Sequence, residues 1–285
     1  MTSHHRHAIA FALFWIALSQ SLSTAVWGQT AGIAKQSEIL KCNRATFRVV
    51  IDVGHTVLEP GATSARGVSE YEFNFLLAKR IEQKLTEAGY SKTLLLVTGG
   101  PTIAGLIQRV AIANKSAANL FLSIHHDSVP DFFIEYWGYE GDQYRFSDRF
   151  QGHSIFISYE NGSRNESTIF AKLLGKQLQS RGLKFTPHYT LAIMGGRRRE
   201  LIDANVGVYR FDQLYVLRAT QMPAVLLEAG SIINRDEELL MRTEERRSLI
   251  AVSVLDAVTA FCMLQSPRIP TPPSHSIRGL PSQKY

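Results

Sequence analysis

The chain has 285 residues, 45% of them hydrophobic and 20% charged, enough to bury a large core, and this composition excludes collagen, a disulfide-dense scaffold and wholesale disorder. The formal charge of +6 sits largely at the ends, since residues 1–28 hold Arg6 and no acid, and residues 266–285 hold Arg268, Arg278 and Lys284 and no acid. The body is therefore close to neutral and carries no nucleic-acid motif, which argues against nucleic acid as a partner.

The N-terminus reads His4, His5, Arg6 and His7, then an apolar run from Ala8 to Leu18, then a polar stretch closing on small residues from Ala25 to Gly28. A charged start and an apolar run too short to span a bilayer predict a signal peptide over residues 1–28. That predicts export to the periplasm or cell envelope, with no membrane span left once the peptide is removed. Residues 29–41 read as a linker. Cys42 and Cys262 are the only cysteines and flank the globular part. Export permits a bridge between them, and two separate buried thiols fit the sequence equally well.

Between the cysteines, short apolar runs alternate with helical patterns. Phe47–Val53, Thr93–Val97, Leu120–Ile124, Ser154–Ser158 and Ala224–Glu228 predict strands, and Ser69–Ala88, Thr102–Ala117, Glu166–Arg181 and Asp236–Phe261 predict helices. The alternation predicts an α/β fold, one domain over residues 42–262, with a mixed, mostly parallel sheet covered by helices on both faces. Residues 129–152 break the rhythm with aromatic and charged side chains directly after a strand. Two readings fit them. One is an insertion facing the active site, with Phe132, Phe133, Tyr136 and Trp137 lining a groove or covering the site, and the other is a hairpin packed on the domain's side. Arg197, Arg198 and Arg199 read as a solvated basic loop, with contacts to carboxylates of a ligand as the alternative. Residues 263–285, rich in proline and basic, predict a disordered tail.

Four places carry chemistry. The first strand ends in Gly54-His55, which presents an imidazole outward, as a metal ligand or merely in solvent. Ser69 and Glu72 form a capping box, leaving the Glu70 side chain free on the first helical turn. It is either a ligand or an acid favouring the helix dipole. His125 and His126 end a very apolar strand and, being adjacent, point to opposite sides, so at most one of them faces a metal bound by His55. Glu228 ends a buried strand, where a carboxylate is costly unless paired or functional. His, Glu and His would leave zinc one open position, and a nearby carboxylate can shuttle the proton of a water. No H-E-x-x-H is present, so this is not a helix-borne zincin.

IDVGH, GVSEYEFN, LFLSIHHDS, YVLRATQMPAVLLEAG and IINRDEE occur in this order, and together they resemble the zinc-dependent N-acetylmuramoyl-L-alanine amidases of the type-3 fold. The resemblance covers Arg48 to Phe261. It implies a mixed sheet of about six strands, one Zn2+ held by His55, Glu70 and His125, and Glu228 as the catalytic glutamate. The implied reaction is hydrolysis of the amide between N-acetylmuramic acid and L-alanine, with peptidoglycan as substrate; a protein activator is a further partner that the sequence allows and does not require. The same metal site fits a zinc peptidase cutting within the stem peptide, and a decayed site would leave a wall-binding regulator. Thr56 stands where the family often has glycine, and His126 where a small residue is usual.

Overall fold

The structure, a computed structural model, describes residues 42–265. The expected signal peptide, the linker and the tail from Ser266 onward lie outside the described residues.

Among the described residues, nine strands and six α-helices alternate. They are β1 (Val49–Val53), α1 (Glu70–Glu87), β2 (Leu94–Leu96), α2 (Thr102–Ser116), β3 (Leu120–Asp127), β4 (Glu135–Tyr139), β5 (Asp142–Phe146), β6 (Ser154–Ile157), α3 (Arg164–Ser180), β7 (Glu200–Asp203), β8 (Val208–Arg210), α4 (Tyr215–Ala219), β9 (Ala224–Ser231), α5 (Arg235–Met241) and α6 (Glu244–Gln265). Seven strands form one sheet in the order β2-β1-β3-β9-β6-β8-β7, one more than the approximate expectation. β2, β1, β3 and β9 run parallel, β6 is antiparallel to β9 and parallel to β8, and β7 is antiparallel to β8.

Side-chain alternation on these strands feeds two cores. Val49, Ile51, Val53, Leu122, Ile124, Ile155 and Leu227 pack under α1, α3 and α6. Val50, Phe121, Phe156 and Leu226 pack on the other face, with Val110 and Ala113 of α2 and Val216 and Leu217 of α4. Helices on both faces explain why the central strands read as continuous apolar runs.

The last expected helix is two helices. Thr243 ends the first and caps the second, its Oγ1 accepting from Arg246 N at 3.1 Å, the role a threonine plays at an N-cap. α6 then continues to Gln265, so residues 263–265 belong to the helix and not to the tail. α6 is long and apolar enough to cross a membrane by length and composition. Its buried Ile250, Val254, Ala257, Val258 and Phe261 instead join the core shared with α1 and α3.

Cys42 and Cys262 are joined across a sequence separation of 220, which decides between the two readings of these residues. The bridge ties the start of the body to α6. Closing so long a loop restricts the unfolded chain, and native bridges contribute about 2–5 kcal/mol. We expect the Cys42→Ser/Cys262→Ser variant to lose stability in this range by urea denaturation. An unchanged midpoint would show that the helix packing holds this end alone.

Residues 129–152 form a short 3-10 turn, Asp131–Phe133, and the separate hairpin β4–β5. Glu140 and Gly141 at its tip both have positive φ, 50° and 94°, as a tight two-residue turn requires. The four aromatics divide. Phe133 is buried, and Trp137 donates from Nε1 to Ala65 O at 2.9 Å, with the guanidinium groups of Arg66 and Arg235 each 5.1 Å from its ring centroid. Phe132 and Tyr136 stay exposed, at 57% and 67%. The segment is thus a hairpin anchored to the body, and its strand β5 also walls a cleft beside the candidate site.

Candidate metal centre

The parallel strands β1 and β3 bring His55 and His125 to the same sheet edge, and the capped start of α1 delivers Glu70 between them. Ser69 Oγ accepts from Glu72 N at 3.4 Å, the capping contact expected. Glu70 is buried, and its two oxygens face the two imidazoles separately. Oε2 lies 3.0 Å from His55 Nε2, and Oε1 lies 2.9 Å from His125 Nδ1. One donor atom from each of the three residues falls within 4.8 Å of the others, so this cluster can hold a metal ion.

The cluster is supported from behind. Ala62 N donates to Glu70 Oε2 at 3.0 Å, and Asn74 Nδ2 donates to Oε1 at 3.2 Å. Burial alone would raise the Glu70 carboxyl, but hydrogen bonds to His125 and His55 hold it well below the usual carboxylate range. His126 points away from the cluster, as strand alternation requires. Its Nδ1 meets Asn74 Oδ1 at 2.8 Å, and burial drives its pKa down to about 3, keeping the ring neutral. Asn74 therefore links His126 to Glu70. His55 adopts a left-handed backbone, φ 66°, unusual for a residue with a side chain. Its carbonyl accepts from the buried Arg109, which also donates to Thr98 Oγ1 at 2.9 Å and lies 3.5 Å from Asp52 Oδ1.

Glu228 on β9 stands opposite His125 in the sheet register. Its Oε2 is buried with no hydrogen-bond partner among the described residues. Burial first, then the nearby charges of Asp127 and Glu70, raise the Glu228 carboxyl well above its ordinary value, while Arg197 pulls the other way. Asp127, pushed up to about 7 mainly by burial, accepts from Tyr189 Oη and from Ser128 N, each at 2.8 Å. The site thus combines a His/Glu/His donor set with two buried carboxyls, those of Glu228 and Asp127, whose hold on a proton is strengthened.

Two cavities adjoin the cluster. A largely apolar one of about 280 Å³ touches His55 and His125 and is walled by Leu106, Leu214, Tyr215 and Val216. A polar cleft of about 530 Å³ runs from Gly61 between the 61–64 loop and the hairpin, past Ser128, Gln143 and Arg145, to Arg197.

The sequence singles out His55, Glu70, His125 and Glu228, names Arg197 only together with Arg198 and Arg199, and passes over Gly61 and Asp127. Gly61 has φ +79°, and a Cβ there would stand 2.5 Å from Glu70 Oε2 and 2.6 Å from His55 Cδ2. Asp127 was signalled by its place two residues after His125, on the same side of a strand. Arg197 carried no signal that set it apart from Arg198 and Arg199.

A sequence model of the family described as N-acetylmuramoyl-L-alanine amidase matches residues 49–260. The chain is 24% identical over 223 residues to a putative N-acetylmuramoyl-L-alanine amidase of Buchnera aphidicola, covering 75% of this chain and 95% of that protein. The Ami1 amidase of Mycobacterium smegmatis superposes with a TM-score of 0.60 at 21% identity, over 78% of this chain and 100% of that one. The CwlD amidase of Clostridioides difficile, solved in complex with the GerS lipoprotein, superposes with a TM-score of 0.56 at 18% identity, over 77% of this chain and 100% of that one. At such identities the structural likenesses establish the fold.

Proposed function

This chain belongs to the N-acetylmuramoyl-L-alanine amidase family, a family of enzymes, and from that premise we propose that it is a zinc amidase. It hydrolyses the amide between N-acetylmuramic acid and L-alanine of peptidoglycan, with one zinc ion held by His55, Glu70 and His125 and with Glu228 as the proton carrier. The observation that carries this reading is the convergence of two imidazoles on opposite oxygens of one buried carboxylate. A nitrogen/oxygen/nitrogen donor set of this kind suits zinc and leaves a position open for substrate. When bound, zinc supplies a Lewis acid that polarises an amide carbonyl and lowers the pKa of a water to about 7.

The protein's own groups do the rest. Ala62 N and Asn74 fix the plane of the Glu70 carboxylate, and Arg109 fixes the turn that aims His55. Such supporting contacts typically govern metal affinity by 10–100-fold. Glu228, beside His125, takes the proton of the attacking water and delivers it to the leaving nitrogen. Its elevated proton affinity suits a group that must hold a proton between these two transfers.

The enzyme works outside the cytoplasm, in the periplasm or cell envelope. The reading rests on the charged and apolar N-terminal pattern of residues 1–28, on the disulfide, which persists in oxidising compartments, and on the substrate. A protein activator fits as a further partner, since the CwlD relative was solved with a lipoprotein.

Chelation tests the metal. Treatment with a chelator should abolish solubilisation of peptidoglycan, and one equivalent of zinc per chain should restore it. Full activity in the metal-free protein would refute the proposal. Gly61→Ala gives a second test. The added Cβ collides with Glu70 and His55 at a backbone angle that alanine resists, so zinc affinity in a competition titration should fall at least about 10-fold. Unchanged affinity would show that the 61–64 loop does not constrain these residues.

A further inference from the structure

Arg197, Arg198 and Arg199 are adjacent in sequence and separate in space. The Arg199 guanidinium lies 3.7 Å over the Phe211 ring and donates to the carbonyls of Gly196 and Arg198. Arg198 lines a shallow surface hollow with Glu200 and Arg210. Arg197 alone turns into the polar cleft that begins at Gly61, against the candidate metal ligands. Among the described residues, no carboxylate or hydrogen-bond acceptor pairs with its guanidinium. The other arginine of the cleft, Arg145, is already paired with Asp131. Arg197 thus presents a positive charge to the cleft, and its field reaches the buried carboxyls of Asp127 and Glu228.

An exposed guanidinium at the end of a polar cleft fits one ligand chemistry, a carboxylate held by charge-assisted, potentially bidentate hydrogen bonds. If the scissile amide lies at the cluster, the fragment filling this cleft must carry that anion. On the acyl side the lactyl carboxyl is consumed in the amide itself. The amine side is a peptide, with an acidic side chain or a C-terminus to offer. We propose that Arg197 is a specificity residue that binds a free carboxylate of the stem peptide and so places the peptide, and not the glycan, in the cleft between the 61–64 loop and β5. This inference rests on the amidase reading above.

The test uses the zinc-loaded, disulfide-bonded protein and synthetic N-acetylmuramoyl-peptides in three forms: all carboxylates free, the acidic side chain amidated, and the C-terminus amidated. Arg197→Gln should lower kcat/KM on the free acid about 10- to 100-fold, the range of a lost charged hydrogen bond, and do so through KM. Amidating the carboxylate that Arg197 binds should cost the parent the same factor and cost the variant nothing, which also identifies the carboxylate. Arg197→Lys should recover part of the loss, and zinc content should be unchanged. An equal fall in kcat on all three substrates would overturn the proposal in favour of an effect through the field at Glu228, and no fall on any would overturn it outright. If the zinc-loaded parent cleaves none of the three, the amidase reading fails and takes this proposal with it.

Discussion

Glu228→Gln is expected to lower kcat by about 10²–10⁴-fold, the usual contribution of a positioned acid–base group, while zinc remains bound at one per chain. Glutamine keeps the shape of the side chain and its place beside His125, but it cannot carry a proton. The structure adds a second expectation. Oε2 of Glu228 is buried without a partner, and the charges of Asp127 and Glu70 oppose its ionisation. Removing a buried group that ionises against two neighbouring acids relieves that opposition, so the thermal midpoint of the variant should equal or exceed the parent's. A gain or tie in stability with a large loss in turnover is the pattern of a site held for function. A variant with normal kcat would show that another group moves the proton.

Glu70→Ala should be the most damaging single change at the cluster. The carboxylate is the hub where His55, His125, Ala62 N and Asn74 meet. Without it, two histidines remain to hold a metal, and the buried donors behind them lose their acceptor. Zinc affinity should fall by more than about 100-fold, beyond the range seen when only supporting contacts are lost, and activity at ordinary zinc concentrations should vanish. Glu70→Gln separates the two losses. The amide refills the space and keeps an oxygen for Ala62 N or Asn74, so folding stability should recover while zinc affinity does not. A Glu70→Ala protein that keeps its full metal content would remove Glu70 from the ligand set.

Unbroken apolar runs decided which parts of this fold could be read without coordinates. β1, β3, β6 and β9 are buried on both faces, and their unbroken apolar runs stand out. β7 and β8 mix charged with apolar residues, Glu200 and Asp203 in one and Arg210 in the other, so neither stands out as an apolar run, and they complete the sheet at the edge that β6 offers. β4 and β5 are half-exposed, and polar residues interrupt their alternation. The division of the last helix turns on the cap at Thr243, a local hydrogen bond inside an otherwise helical pattern.

The site divides along similar lines. His55 follows the end of β1, His125 and Glu228 lie inside β3 and β9, two and three residues before their C-terminal ends, and Glu70 opens a capped helix, so each sits near a boundary that the sequence marks. Gly61 and Arg197 matter through what faces them across space. Nothing around Gly61 in the chain announces that a ligand carboxylate will lie against it, and Arg197 shares its sequence surroundings with two arginines that go elsewhere. Cys42 and Cys262 fall between these cases, since their positions at the two ends of the body allow a bridge and only the packing of α6 brings them together.

Product analysis tests the central claim most directly. Purified peptidoglycan should be digested with the zinc-loaded protein and the soluble fragments identified by mass spectrometry. The account predicts intact stem peptides beginning with a free L-alanine amine, with the glycan strands left uncut. Stems shortened from within would contradict it and identify a peptidase built on the same metal centre.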